Sequence, residues 1–136
     1  MNFKPLKSLE IFIDRSLGRK IAGPLREVGA RVFLHDDYFA QGVEDEVWLT
    51  EAGKNGWIVL TKDKMIRRRT IEREALLNAN VKAFFFMSGS IAFSEIAQIL
   101  VKALPAIEKV VTENKPPFIA GIYKDASVRI ILTSEK

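Results

Sequence analysis

The segment Gly56-Trp57-Ile58-Val59-Leu60-Thr61-Lys62-Asp63-Lys64 constrains the fold of this chain more than any other. Its short apolar run reads as a buried strand, stopped abruptly by a polar tetrapeptide with one carboxylate at its tip. Leu9-Glu10-Ile11-Phe12-Ile13 runs in the same way straight into Asp14, again without clear alternation, as expected when both faces of a strand are covered. Two carboxylates at the exits of two buried strands predict an acidic pocket at one edge of a sheet, a setting that suits hard cations.

The pattern between these strands supplies the rest of the layout. Leu17, Ile21, Leu25 and Val28 recur at helical spacing, with Gly29 as a stop and Gly23-Pro24 as an interruption. That helix is either kinked or begins afresh with Pro24 in its first turn. Arg31–Leu34 reads as the second strand, ending at His35-Asp36-Asp37, and 38–43 as loop. A helix marked by Val47, Trp48 and Ala52 runs from about Glu44 to Lys54, closed by Asn55-Gly56 ahead of a third strand at Trp57–Leu60. A further helix follows from about Thr70 to Asn78, with Thr70 as a good N-cap, then a strand at Val81–Met87. The last helix spans roughly Phe93–Val111, with Pro105 as an expected kink or break, and Phe118–Tyr123 with Ser127–Thr133 reads as a terminal hairpin. The order βαβαβαβα with short connections argues for a mainly parallel sheet covered by helices on both faces, an α/β fold of three layers. Right-handed crossovers then place the strand C-termini, and with them Asp14, Asp36, Asp37 and Asp63, on one edge.

At 136 residues the chain is expected to form a single domain over 1–136, with a core at 9–112 and the hairpin at 118–133. No window approaches the ~18 uninterrupted apolar residues of a membrane span. The N-terminal stretch with Lys4, Pro5, Lys7 and Glu10 lacks the apolar centre of a signal peptide. The absence of cysteine excludes thiolate metal sites and disulfides and fits a cytoplasmic protein. The net charge of +4 matters less than its distribution. Lys62, Lys64, Arg67, Arg68, Arg69 and Arg73 crowd one stretch, whereas Asp36, Asp37, Glu44, Asp45, Glu46 and Glu51 fill another. An acidic centre beside a cationic rim suits the processing of a polyanion.

Each acid also has a structural explanation. Asp14 and Asp63 could cap the turns that follow them, and Asp45 and Glu46 would stabilise a helix N-terminus in any case. Neighbours on a helix point about 100° apart, so Asp45 and Glu46 cannot both face inward. Asp45 shares the face of Trp48, which makes it the better candidate to reach the pocket. Two carboxylates about 4 Å apart repel by about 4 kcal/mol at an effective dielectric of ~20, so a converging set calls for a raised pKa or a cation. With only His35 as a nitrogen ligand, Mg²⁺ or Mn²⁺ is the expected occupant. His35 itself reads as a polar strand-end residue, Trp48 and Trp57 as core. The Arg67-Arg68-Arg69 run reads either as a solvated turn or as a phosphate contact. No GxGxxG, Walker A or nucleophile-elbow pattern occurs.

At these residues the chain resembles the PIN-like nucleases, and among them the VapC45-type branch related to the Mut7-C and similar short PIN-like domains. The resemblance rests on Phe12-Ile13-Asp14-Arg15-Ser16-Leu17-Gly18, on Glu44-Asp45-Glu46-Val47-Trp48-Leu49, and on Gly56–Lys64 continuing into Ile66-Arg67-Arg68-Arg69 and Glu72. It covers about residues 9–87, and the strand ending in Thr-x-Asp is its most specific piece. It implies a three-layer α/β/α fold, an Mg²⁺- or Mn²⁺-dependent phosphodiesterase centre, and a role as the toxin ribonuclease of a type II toxin–antitoxin pair. Asp14 and Asp63 then match the strand-end acids and Asp45 the acid opening the middle helix. The fourth acid of such nucleases has no clear counterpart; Asp36, Asp37 and Glu46 are the candidates, Glu46 and Asp37 being carried as further metal ligands. Lys64, Arg67, Arg68 and Arg69 are the expected substrate-binding residues. The expected partners are RNA, an antitoxin protein and a second copy of the chain, with no membrane. The alternative is a degenerate PIN-like module that binds nucleic acid or a partner protein without cleaving. A phosphoacceptor of receiver type is disfavoured, because Ile13 and Arg15 flank Asp14 where receivers need paired acids.

Overall fold

The structure is a computed structural model that describes residues 9–63, 70–89 and 91–133, with the backbone alone for 70–72. Among the described residues six strands form one sheet: β1 (Glu10–Ile13), β2 (Arg31–Leu34), β3 (Ile58–Thr61), β4 (Lys82–Phe86), β5 (Phe118–Ile122) and β6 (Val128–Thr133). Their order is β2-β1-β3-β4-β5-β6, all parallel except the antiparallel β6. The helices are α1 (Ala22–Glu27), preceded by a 3₁₀ turn at Arg19–Ile21, α2 (His35–Tyr38), α3 (Asp45–Asn55), α4 (Thr70–Asn78) and α5 (Phe93–Glu113).

The unbroken apolar runs are explained by two cores, one on each face of the sheet. Ile11, Ile13, Ile58, Leu60, Phe84 and Phe86 pack toward α1 and α5. The intervening Phe12, Val59, Ala83 and Phe85 pack toward α3 and α4. Successive strand residues point to opposite faces, so a strand covered twice needs an apolar residue at every position. The second core is aromatic: Phe12 stacks on Trp57 at 5.2 Å and on Trp48 at 5.4 Å, and Phe33 on Trp57 at 4.8 Å.

Between β1 and β3 the strand order reverses. The connection through α1 leads from β1 outward to β2, and α3 then carries the chain back across the other face to β3. A crevice opens outside the C-terminal ends of two such strands, because their crossovers leave on opposite sides. Ile13 lies level with both Leu34 and Leu60, so the three strands end together at this crevice. Gly53 lets α3 sit close: a Cβ there would overlap the carbonyl of Ala79.

Several local expectations are settled by the structure, and some are corrected. Residues 35–38 form one helical turn instead of a strand end running into loop, because buried His35 folds back onto Phe12, Phe39 and Trp48 and its carbonyl accepts the Phe39 N–H. The first helix begins afresh after a 3₁₀ turn, with Pro24 in its first turn, where a missing N–H has no intrahelical partner to lose. α5 runs unbroken through Pro105 to Glu113, its buried Leu100, Leu104 and Ile107 holding it on the sheet. Val28 and Val47, expected on buried helix faces, are exposed, while Leu25, Trp48 and Ala52 are buried. The C-terminal hairpin extends the main sheet. Its turn is closed by Asp125, whose carboxylate accepts the Ser127 hydroxyl and backbone N–H, and these bonds hold its pKa below the usual value.

Candidate functional site

Asp14 is the first residue beyond β1, and its backbone N–H continues the ladder to the Leu60 carbonyl at 3.0 Å. This register puts its side chain beside Thr61, the last residue of β3. The Thr61 hydroxyl donates to Asp14 Oδ2 at 2.7 Å, and the Ser16 hydroxyl donates to the same oxygen at 2.8 Å. Each hydroxyl in turn accepts a backbone N–H, Thr61 from Asp63 and Ser16 from Lys62, both at 3.0 Å. The two hydroxyl oxygens lie 3.1 Å apart, but with both protons given to Asp14 that contact adds no bond. Ser16 and Thr61 therefore lace the two strand exits together through a single carboxylate oxygen. Oδ1 is left without a hydrogen bond among the described residues.

Asp45 reaches the same place from α3. Glu44 takes the extended N-cap conformation, and Asp45 and Glu46 occupy the first turn. Trp48, only 1% exposed, donates its indole N–H to Asp45 Oδ1 at 2.9 Å. That bond fixes which of the two neighbouring acids faces the crevice. A cleft of about 350 Å³ results, lined by Asp14, Ser16, His35, Asp45, Trp48 and Asp63 among others. Glu46 is exposed and does not line it.

The remaining acids are held elsewhere. Asp36 forms an ion pair with Arg15, whose Nε lies 3.1 Å from Oδ1, and Asp37 accepts from Arg19 Nη2 at 2.9 Å, both on the exposed side of α2. The bond to Asp37 and its charge raise the Arg19 pKa above the ordinary arginine value. Asp37 does not line the cleft, and Asp36 lines only a smaller hollow beside it, of about 120 Å³. His35 is 3% exposed and its Nδ1 has no hydrogen bond among the described residues, lying 3.5 Å from Asp36 Oδ1. Lys64, Arg67, Arg68 and Arg69 lie outside the described residues.

Asp14, Asp45 and Asp63 thus share one cleft at the sheet's reversal point. Among the described residues no three Asp, Glu or His side chains stand close enough together to cage an ion by themselves. The donor chemistry still fits a hard cation: carboxylates and hydroxyls line the cleft and no thiolate does. Mg²⁺ takes only one or two carboxylates directly and keeps several waters, so acids spread around a cleft wall can serve it. Ser16 and Thr61 lie in the segments that carry the family resemblance, but the sequence assigned their hydroxyls no role. The signal was there, a hydroxyl two residues after one strand-end acid and another two residues before the second.

A profile described as "PIN like domain" matches residues 9–88, more than half of the chain. The chain belongs to the PIN-like domain family. A relative in Mycobacterium tuberculosis, named "Putative ribonuclease VapC45", is 30% identical over 126 residues, which cover 89% of this chain and 91% of the relative. No solved structure matches the chain. The matched span of the PIN-like domain contains Asp14, Asp45, Asp63, Ser16 and Thr61, so the whole cleft lies within it. Among the described residues no helix is long and apolar enough to cross a membrane.

Proposed function

We propose that this PIN-like domain is a metal-dependent endoribonuclease acting as the toxin of a type II toxin–antitoxin pair. The observation that carries the reading is the shared cleft of Asp14, Asp45 and Asp63 at the switch point of a PIN-like sheet. The relative's printed name, a ribonuclease, supports RNA as the substrate. Asp14, Asp45 and Asp63 would hold Mg²⁺ or Mn²⁺, which when bound acidifies water and offsets charge on the phosphoryl oxygens.

The chain's own residues prepare that chemistry. Thr61 and Ser16 clamp Asp14 Oδ2 and so fix the rotation of the carboxylate, while Trp48 does the same for Asp45. Such outer partners set how well ligands are aimed. Lys62 at the rim, with Lys64, Arg67, Arg68 and Arg69 following in sequence, would neutralise the phosphates beside the scissile bond. The chain acts as one domain in the cytoplasm, held in check by an antitoxin protein and able to pair with a second copy.

The test is cleavage of a mixed RNA pool by purified protein with Mg²⁺, with Mn²⁺ and with chelator. Cleavage in both ions and its loss, by at least about a hundredfold, on chelation is the expected result. No cleavage in Mn²⁺, together with steeply salt-dependent RNA binding, would replace it with the non-catalytic module.

A further inference from the structure

A groove of about 830 Å³ lies between α1 and α5, on the face of the sheet opposite the three acids. Its walls include Pro24 and Val28 from α1 and Phe93, Ala97 and Val101 from α5. The α5 positions recur every four residues, so they form one row along the helix. The neighbouring row, Ile96, Leu100 and Leu104, is buried against the sheet. α5 therefore carries a second apolar row, in which Ala97 joins the core, Val101 packs partly against it and Phe93 stays exposed. Phe93 and Val28, 45% and 38% exposed, mark its open side.

One end of this groove meets the rim of the cleft. Phe93 opens α5, and Lys62 Nζ lies 5.9 Å from the centre of its ring. Lys62 stands between Thr61, which holds Asp14, and Asp63, which lines the cleft. Alternation along the β3 exit sends Lys62 to the α5 side and its neighbours to the acid side. Lys62 is thus the link between the carboxylate cleft and the exposed ring. Lys20 and Lys102 also border the groove, against one acid among the described residues, Glu27. An apolar floor with an aromatic ring at its mouth and ammonium groups along its edges matches single-stranded nucleic acid, whose bases stack while its phosphates seek cations. An amphipathic peptide helix would use the same floor, but it would not require the groove to start at the cleft rim.

We propose that the α1–α5 groove is the track for single-stranded RNA flanking the cleaved bond, with Phe93 stacking on a base beside the cleft. The proposal rests on the ribonuclease reading and adds the path of the substrate to it. The probe is a fluorescent single-stranded oligoribonucleotide of mixed sequence. Its binding is measured by anisotropy in chelator and its cleavage in Mg²⁺. Phe93→Ala should raise both Kd and KM about five- to a hundredfold with kcat little changed, and Phe93→Trp should restore them. Val101→Asp, farther along the same row, should raise Kd as well. Phe93-dependent binding without any cleavage would end the ribonuclease reading and, with it, the place of the track beside a cleaved bond, leaving the groove as an RNA-binding surface. Cleavage by the wild type with Kd and KM unmoved in Phe93→Ala and Val101→Asp would overturn the track alone. The same unmoved values with lost inhibition by a partner protein would also overturn it, in favour of a protein-docking groove.

Discussion

Asp14→Asn should reduce RNA cleavage by about a hundred- to a thousandfold while leaving the protein folded. The asparagine amide oxygen can take the place of Oδ2 and accept the same hydroxyls from Thr61 and Ser16. Its amide nitrogen then replaces Oδ1, the oxygen that makes no hydrogen bond among the described residues. The substitution therefore removes a charge and a cation ligand with almost no change of shape. Weakening charged hydrogen bonds to neutral ones should cost about 1 kcal/mol, a small shift in urea denaturation. Rates on the mixed RNA pool, set beside that denaturation curve, separate lost chemistry from lost folding. Wild-type cleavage by the variant would remove Asp14 from the centre.

Thr61→Val should affect both stability and rate. Thr61 is 1% exposed, donates to Asp14 and accepts the Asp63 N–H, so valine of nearly equal volume strips a buried and a half-buried partner at once. Leaving a carboxylate bond and an N–H unmade should destabilise the fold by about 2–3 kcal/mol. Cleavage should fall about ten- to a hundredfold, because Asp14 and the Asp63 backbone lose the group that aligns them. Thr61→Ser keeps the hydroxyl and should recover most of the rate. A valine variant as active as the wild type would show that the hydroxyl lacing does not position the acids.

The sheet edge was legible because buried strands announce themselves by unbroken apolar runs, and the runs of β1 and β3 each led to an acid. Trp48 made Asp45 legible for the same kind of reason: a residue three positions away on a helix must share its face. What could not be seen depended on partners distant in sequence. Arg15 and Arg19 come from the loop after β1 and pair with Asp36 and Asp37, a match that exists only once β1 and β2 are in register. The helical turn at His35 depends on an aromatic cluster assembled from β1, α2 and α3. The lacing of Ser16 and Thr61 needed the pairing of β1 with β3 before two ordinary hydroxyls acquired a common carboxylate. The groove beside α5 was hidden by composition, since Phe93 and Val101 look like any other core residues in an amphipathic helix.

The cleft is where the proposed chemistry stands or falls, and Mn²⁺ can be located directly by its anomalous scattering in a soaked crystal. The expected result is one or two peaks bounded by Asp14, Asp45 and Asp63, absent from Asp14→Asn crystals soaked in the same way. A wild-type protein that cleaves RNA in Mn²⁺ yet places the ion elsewhere, or nowhere along that cleft, would contradict the assignment of these three acids.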